Sequence, residues 1–249
     1  MIVAVTNQKG GIGKTTTCLN LAACAAQEGK RTLMIDLDPQ GNLTKTFLQL
    51  QEDDLSIYHL LCRETPLISI LKETSIKDLY LVPADISLAG LERAEGEFKS
   101  PYRLHTKLLP FMHDFDLMLI DTPPTLGMLT VGAMTTANRL LVPIQPSFYP
   151  LQGTNDLLAT YQHVKEKLNP TLELLGVLIT MYDPRTTIAK EALAEIQNAF
   201  GNKVLDTIIH RNVKIEESPA AGQSILTYAP KSKAAQEYRA AYRELMDRA

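Results

Sequence analysis

The sequence lacks most of the features that mark secreted, membrane-spanning or disordered proteins. It has three cysteines (Cys18, Cys24 and Cys62) and no CxxC pair, so neither a disulfide framework nor a zinc knuckle is indicated. No apolar run approaches the roughly 20 residues that span a bilayer, and the first residues lack the charged, apolar and cleavage regions of a secretory signal. No long stretch is polar without periodicity, which argues against disorder. We therefore expect a cytoplasmic, globular protein.

An excess of charge of one sign is also lacking. The formal net charge is −3, which argues against a protein coated in basic residues. Residues 1–184 carry 20 acidic and 15 basic residues, whereas residues 185–249 carry 8 acidic and 10 basic ones. This modest basic bias in the last quarter permits a local phosphate-binding patch but does not demonstrate one.

What the sequence does contain is an alternation of strand-like and helix-like segments. The strand-like runs are Ile2–Val5, Thr32–Ile35, Leu79–Val82, Leu117–Ile120, Leu140–Ile144, Leu174–Thr180 and Val204–Ile209. Most are apolar on consecutive residues, which is typical of strands buried on both faces. The helical patterns are Thr15–Glu28, Leu88–Glu97, Leu126–Ala137, Gly153–Leu168 and Ile188–Phe200, with a less regular helical insertion at Gln49–Ile76. The pattern predicts one α/β domain over residues 1–249, with a doubly wound, mostly parallel β-sheet flanked by helices.

A glycine-rich loop joins the first strand to the first predicted helix. Its glycines let amide N–H groups approach an anion, and the helix directs its positive N-terminal end at the same point. In such a P-loop, Lys14 neutralises the β- and γ-phosphates and the Thr15 hydroxyl ligates magnesium. A simple glycine turn would explain the glycines but not this Lys-Thr pair. The residues expected to bind ATP here are Lys9, Gly10, Gly11, Ile12, Gly13, Lys14, Thr15 and Thr16.

Two residues of this loop depart from the general pattern G-x-x-x-x-G-K-[ST]. Gln8 stands where that pattern has glycine, and a second lysine, Lys9, precedes the double glycine. A lysine at the mouth of the loop does not easily fold back onto its own phosphates. Its charge is therefore free to serve a neighbour.

The run KGGIGKTT resembles the deviant Walker A motif of the ParA/MinD ATPases, which belong to the SIMIBI class of P-loop proteins. The resemblance covers essentially the whole chain and is closest to short chromosomal ParA proteins of the Soj type. The further motifs that carry it are Asn7-Gln8, Asp36 to Asn42, Asp121 to Pro124, Thr180 to Asp183 with Arg185-Thr186, Arg211 to Val213, and Glu217 to Pro219. The resemblance implies an ATPase that uses ATP and Mg²⁺ and is weak without a partner.

Three carboxylates are candidates for the chemistry around the phosphates. Asp121 ends an apolar strand, where a Walker B acid would hold the magnesium shell; helix capping is the alternative, although the following Pro-Pro suits a loop. Asp36 and Asp38 both follow the second strand, and two such residues point to opposite sides of an extended chain. Spacing does not choose between them. The resemblance implies that Asp38 positions the attacking water, while Asp36 lies nearer the magnesium with Thr15 and Asp121.

The resemblance also assigns a role to Lys9. The matching lysine of the family reaches across a face-to-face, ATP-dependent homodimer to the phosphates of the partner subunit, where it stabilises charge on the transferring phosphoryl group. The expected catalytic residues are therefore Lys9, Lys14 and Asp38.

On the base side, the resemblance places Arg211 and Asn212 near adenine and ribose, with Met181 as a packing neighbour. Relatives commonly have proline before the Arg-Asn pair. This chain has His210, so the loop lacks that rigid residue.

Partners are implied in the same way. ParA relatives of this type bind double-stranded DNA without sequence specificity as the ATP dimer, and a ParB-type (Spo0J-type) protein stimulates the hydrolysis that releases them. Arg185 and Lys214 stand where close relatives carry arginines for DNA contact, and Arg211, Lys231 and Lys233 extend the patch. An ordinary solvated charge is the alternative interpretation of each of these residues. We expect a nucleoid-associated protein.

Other functions of the wider class stay open as alternatives. A MinD-like positioning ATPase would end in a basic amphipathic membrane anchor, but the polar face of Ala234–Arg248 mixes acidic and basic residues, which predicts a helix docked on the core and no stable anchor. A nitrogenase-type reductase would need cysteines that bridge an iron–sulfur cluster, and the three cysteines are poorly placed for it. No helix-turn-helix precedes Ile2, so operator binding is not expected. The cargo is a chromosome, a plasmid or, for an orphan ParA, a protein assembly.

Overall fold

The structure is a computed structural model that describes residues 1–51, 53–63, 65–93, 100–147, 151 and 153–249. Its strands are β1 (Ile2–Val5), β2 (Thr32–Asp36), β3 (Lys72–Glu73), β4 (Leu79–Val82), β5 (Leu117–Asp121), β6 (Arg139–Ile144), β7 (Glu173–Tyr182) and β8 (Val204–His210). Its helices are α1 (Lys14–Gln27), α2 (Asn42–Phe47), α3 (Ile57–Cys62), α4 (Leu67–Ile70), α5 (Leu88–Arg93), α6 (Arg103–Leu108), α7 (Met128–Thr136), α8 (Thr154–Lys167), α9 (Thr187–Phe200), α10 (Val213–Ala220), α11 (Ile225–Tyr228) and α12 (Lys233–Arg248).

The strands form one sheet in the order β3-β4-β2-β5-β1-β6-β7-β8. Among the described residues, every strand pairing is parallel except that of β3 with β4. The first strand lies in the middle, and the chain winds outward from it in both directions. This arrangement confirms the predicted doubly wound, mostly parallel sheet, and it brings the carboxyl ends of β1, β2, β5 and β7 to one edge.

Helices cover both faces of the sheet, which explains why the strands are apolar on consecutive residues. In β1, Ile2 and Ala4 pack into the core beneath α3 to α9, whereas Val3 and Val5 pack into the core beneath α1, α2 and α10 to α12. Each successive strand residue therefore enters one of two apolar layers, and burial of both layers stabilises the fold.

The last helix, α12, is docked on the core as the sequence predicts. It buries Tyr238, Ala241, Tyr242 and Leu245 against α1 and β8. Its apolar face is thus an internal surface of the fold. None of the helices in the described ranges has both the length and the hydropathy of a bilayer-spanning segment.

The differences from the sequence prediction lie mainly in short elements. The two-residue strand β3 and the short helices α2, α6, α10 and α11 were not predicted, because segments of two to eight residues give little periodic signal. The irregular segment from Gln49 to Ile76 holds α3, α4 and β3. The predicted helix Leu88–Glu97 is present as α5, and the end of its range lies outside the described residues.

The docking of α12 gives a test of the fold. Leu245 is 2% exposed, so Leu245→Ala should lower the free energy of unfolding by about 2–5 kcal/mol through lost burial and a residual cavity. Urea unfolding measures this value, provided that the slope of unfolding free energy against urea concentration is the same as in wild type. Arg243→Ala, on the exposed face of the same helix, is the control and should change it by no more than about 0.5 kcal/mol. Equal values for the two variants would contradict a docked α12.

Candidate functional site

The loop between β1 and α1 is held in place by side chains from both of its flanks. Asn7 donates from Nδ2 to the Pro143 carbonyl at 2.9 Å, and its Oδ1 accepts the Lys9 backbone N–H at 3.1 Å. On the far side, the Thr180 hydroxyl of β7 donates to the Ile12 carbonyl at 2.8 Å. The loop is therefore a fixed cradle, because neighbouring strands satisfy its outward polar groups.

Gly13 turns this loop into α1 with φ of 88°, in the left-handed region that favours glycine. No side chain caps α1, and its first turn contains no acidic residue. The first N–H groups of the helix and its positive end are thus available to an anion. This is the geometry that a phosphate site needs.

A cleft of about 370 Å³ opens over the loop at the carboxyl end of β1. It brings together the predicted residues Lys14, Thr15, Thr16, Asp38 and Met181, along with the loop glycines. Residues far apart in sequence therefore surround one space, as expected where parallel strands end together.

Lys14 lies at the floor of this cleft and is 6% exposed. Its Nζ donates to the Lys9 carbonyl at 3.2 Å. Burial lowers the pKa of Lys14, and the carboxylates of Asp121 and Asp38 act in the opposite direction. The lysine is thus held within its own loop, beside two acids.

Asp121 is the last residue of β5 and is fully buried. Neither of its oxygens has a hydrogen bond of good geometry within the described residues. Burial raises the pKa of this carboxyl well above its ordinary value, and Asp36 adds to the effect, whereas the nearby Thr15 hydroxyl and Lys14 oppose it. Asp121 caps no helix, since the N-cap of α7 is Gly127. An orphaned buried carboxylate next to a phosphate cradle fits the shell of a divalent cation.

Asp36 is the register partner of Asp121 on the adjacent strand, but the protein itself satisfies its carboxylate. Oδ2 accepts the backbone N–H of Thr44 at 2.9 Å and its hydroxyl at 2.7 Å, and Oδ1 accepts the Asp38 N–H at 3.0 Å. Burial raises the pKa of Asp36 to about 6 against the lowering effect of these hydrogen bonds. Its visible task is to fix the turn after β2.

Asp38 lies at the cleft, where it is 8% exposed and its Oδ1 accepts the Gln40 N–H at 2.9 Å. The two acids after β2 thus have different surroundings: Asp36 is enclosed, and Asp38 faces the cleft. Their catalytic and metal-binding roles stay predictions.

Lys9 is exposed at the mouth of the loop. Its Nζ donates to the Ser147 hydroxyl, beyond the end of β6, at 2.8 Å. The amine therefore lies against a neighbouring loop, while Lys14 occupies the floor of the cleft.

A smaller pocket adjoins the cleft at the residues predicted to contact the base. It is lined by Met181, Arg211 and Asn212, and Gly13, Thr16 and Met181 line both the pocket and the cleft. Met181 has a left-handed φ of 52°, a conformation that costs a non-glycine residue about 1–3 kcal/mol. The structure thus brings all three predicted base-side residues together beside the P-loop.

The backbone and side chains of this base-side loop also have fixed partners. The Arg211 N–H donates to the Tyr182 carbonyl at 3.0 Å, and Asn212 caps α10 by accepting the Lys214 N–H at 3.0 Å. His210, which directly precedes this pair, donates its backbone N–H to Glu237 Oε2 at 3.0 Å.

The candidate DNA contacts Arg185, Arg211 and Lys214 are all exposed near the carboxyl ends of β7 and β8. Arg185 is bound to Asp183 through two side-chain hydrogen bonds, from Nε at 2.8 Å and from a terminal nitrogen at 2.7 Å. These contacts lower the pKa of Asp183 to about 2. Lys231 and Lys233 are exposed too, and Lys233 lies 3.5 Å from Glu237. The patch therefore contains acids as well as bases.

Sequence reasoning missed two residues that hold the site together. Thr44 carries two of the hydrogen bonds to Asp36, and nothing in a single sequence links these positions. Glu237 accepts the His210 N–H; its spacing of seven residues from Glu244 places both on one face of the predicted helix but does not say which strand they contact.

The orphaned carboxylate gives a sharp prediction. In magnesium-free buffer, Asp121→Asn should raise the free energy of unfolding by about 1–3 kcal/mol, because it removes a buried charge without hydrogen-bond partners. The gain should grow as pH rises above the ordinary Asp pKa of about 3.9, since the raised pKa penalises only the ionised form. In the presence of ADP, the midpoint temperature of thermal unfolding of Asp121→Asn should be the same with and without Mg²⁺.

The control for this experiment is Asp247→Asn, which neutralises an exposed carboxylate on the last turn of α12. It should leave both measurements unchanged. An Asp121→Asn protein that is less stable without magnesium, or that retains the full magnesium effect, would contradict this assignment.

Comparison with known proteins identifies the family of the chain. The family described as "AAA domain" matches residues 1–174. The chain is 43% identical over 247 residues to the chromosome-partitioning ATPase Soj of Thermus thermophilus, covering 99% of this chain and 95% of that protein. It is 40% identical over 240 residues to the sporulation initiation inhibitor protein Soj of Bacillus subtilis, covering 95% and 94%.

Among solved structures, cobyrinic acid a,c-diamide synthase from Mycobacterium smegmatis with a bound ATP analog and magnesium has a TM-score of 0.84 at 33% identity, covering 98% of this chain and 93% of that chain. The fold and the P-loop agree with the sequence identity to the Soj proteins, which extends over nearly the full length of the chain. The chain belongs to the ParA/MinD family of P-loop ATPases, whose members include the Soj chromosome-partitioning proteins.

Proposed function

We propose that this chain is a partition ATPase that forms an ATP-dependent homodimer, binds double-stranded DNA without sequence specificity and is released when a ParB-type protein stimulates hydrolysis. The observation that carries the proposal is the cleft in which Lys14, Thr15 and Asp38 meet over the buried Asp121. The Soj relatives support the partition role, and the ATP analog and magnesium of the solved neighbour support the cofactors.

The roles of the individual residues follow from their surroundings. Lys14 and the N–H groups at the start of α1 bind the phosphates of ATP, and Thr15 and Asp121 hold Mg²⁺. Mg²⁺ neutralises charge that develops on the transferring phosphoryl group. Asp38, which faces the cleft, positions the attacking water.

Asp36 lies close to the proposed magnesium site and fixes the backbone of the segment around it. Its three hydrogen bonds fix the turn that carries Asp38 and the start of α2. A carboxylate that already accepts three hydrogen bonds has little capacity left for a cation. We therefore propose Thr15 and Asp121 as the direct ligands of Mg²⁺ and place Asp36 next to them, without direct contact to the ion.

Dimerisation rests on Lys9. This lysine is exposed and its amine bonds to Ser147 rather than entering its own cleft. In a face-to-face dimer, it would exchange that single hydrogen bond for the phosphates of the partner, which are a stronger, charge-assisted acceptor. The ATP-bound dimer would then be favoured by a contact that one chain alone does not complete.

DNA binding rests on the exposed cations near the ends of β7 and β8. Arg185, Arg211 and Lys214 supply positive charge in a chain whose net charge is −3, so binding by one subunit should be weak and strongly salt-dependent. Two subunits present the patch twice, and this avidity links DNA binding to the ATP dimer.

A MinD-like membrane role and a protein cargo are the competing functions. The docking of α12 disfavours the membrane role, because the apolar face that would enter a bilayer packs on α1 and β8. The choice between chromosome, plasmid and protein cargo needs the partner itself.

The experiment that tests this function measures binding to non-specific double-stranded DNA with ATP, ADP and no nucleotide, across a salt series. Wild type and Asp38→Ala should both bind with ATP, and the variant should stay bound longer because hydrolysis is blocked. Affinity should fall steeply with salt. Equal DNA affinity with ATP, with ADP and without nucleotide would refute the proposal, as would ATP-dependent binding to anionic vesicles in place of DNA.

The role of Lys9 gives a separate prediction. Lys9→Ala should abolish the ATP-dependent dimer in sedimentation and lower the hydrolysis rate by about 10²-fold or more, in the range seen when one transition-state donor is removed. Its affinity for ADP should stay within about twofold of wild type, since Lys14 still binds the phosphates. Lys77→Ala, at an exposed lysine in the turn before β4, is the matched control. Normal dimerisation by Lys9→Ala would remove this role.

A further inference from the structure

The loop on the base side of the nucleotide site is held by the last helix. His210 ends β8 and directly precedes Arg211 and Asn212. Its backbone N–H donates to Glu237 Oε2 at 3.0 Å, and its ring Nδ1 lies 2.6 Å from Glu237 Oε1. An ionised carboxylate only accepts hydrogen bonds, so Nδ1 carries the proton in this contact. Both oxygens of Glu237 therefore contact His210.

This pair of contacts belongs to a wider arrangement on β8. In the described part of the sheet β8 is an edge strand, and its outer N–H groups have no strand partner. α12 supplies the missing acceptors: Glu244 accepts the N–H groups of Asp206 at 2.7 Å and of Thr207 at 2.9 Å. Glu237 lies two helical turns before Glu244 and accepts the N–H of His210, at the end of the strand that borders the nucleotide site.

Several neighbours on other elements hold the same loop. From β7, the Tyr182 carbonyl accepts the Arg211 N–H at 3.0 Å, and the Tyr182 ring meets the His210 ring edge-on at 5.6 Å. On α12, Lys233 lies 3.5 Å from Glu237 Oε1 and adds charge balance. The Glu237 side chain is only 11% exposed, so its hydrogen bonds are shielded from water.

We propose that Glu237 is a positioning residue for base recognition. By fixing His210 from α12, it sets the backbone that places Arg211 and Asn212 in the pocket beside Gly13 and Met181. Glu237 does not line this pocket itself and acts through His210, which does. The inference rests on the proposed base-side pocket, and it makes the C-terminal helix part of the nucleotide site.

Three variants separate this role from simple stabilisation. Glu237→Ala removes both acceptors. Glu237→Gln keeps an oxygen for the His210 N–H and offers its amide to Nδ1 of the other ring tautomer, so it should rescue the contact. Glu244→Ala is the matched control, since it removes the same kind of contact between α12 and β8 away from the pocket.

Calorimetry with magnesium and two probes, ADP and inorganic pyrophosphate, reports the base and the phosphates separately. Glu237→Ala should bind ADP about tenfold more weakly than wild type, which matches the loss of a buried charge-assisted hydrogen bond. Its affinity for pyrophosphate should change by no more than about twofold, since the P-loop is intact. Glu237→Gln should stay within about threefold of wild type for both probes, and Glu244→Ala should keep the wild-type ratio of the two affinities.

Other outcomes overturn the proposal. An unchanged ADP-to-pyrophosphate ratio in Glu237→Ala would do so, as would equal losses for both probes. Wild type that binds ADP no more tightly than pyrophosphate would show that the base-side pocket itself is misplaced. If Glu237→Ala does not fold, His210→Ala, which keeps the backbone N–H and loses the ring contact, should still lower the ratio about threefold; no change there would equally refute the role.

Discussion

Two carboxylates buried side by side, at the ends of adjacent parallel strands, determine how the site of this protein is built. Asp36 and Asp121 are register partners, and both lie out of contact with water. Their charges in a low-dielectric interior are costly unless something balances them. For Asp36, the balance comes from the protein through three hydrogen bonds to Thr44 and Asp38. For Asp121, the described residues supply no hydrogen bond of good geometry, and this asymmetry is the reason we propose it as a ligand of Mg²⁺.

The rest of the fold places the phosphate cradle over this pair. The central strand β1 delivers the glycine-rich loop between β5 and β6, so the loop begins directly beside Asp121. Asn7 and Thr180 then hold the loop from its two flanks. Lys14 lies buried near the acids, and Lys9 is exposed, with its amine against Ser147. The two lysines of the loop therefore have different surroundings, as the roles proposed for them require.

Much of this could be predicted from the sequence, because the relevant signals are local. The long buried strands were placed to within about two residues by their apolar runs, and the loop with Lys14 and Thr15 has a pattern that requires a strand before it and a helix after it. Contacts between distant segments could not be predicted in this way. The bonds of Thr44 to Asp36 and of Glu237 to His210 join different elements, and each depends on how those elements pack. The effect of His210 was therefore open at the sequence level, and the structure shows that its backbone N–H is one of several groups of this loop with a fixed partner.

In the proposed ATP dimer, one chain builds the cleft and a second chain completes it. A mixture of two inactive variants tests this arrangement: Lys9→Ala keeps Asp38 but offers no lysine to its partner, and Asp38→Ala offers the lysine but does not position water. If Lys9 acts in trans, mixed dimers should hydrolyse ATP at the sites of the Lys9→Ala subunits, and the activity should follow the fraction of mixed dimers. A mixture that stays as inactive as its two components at every ratio, while sedimentation shows that mixed dimers form, would contradict this arrangement.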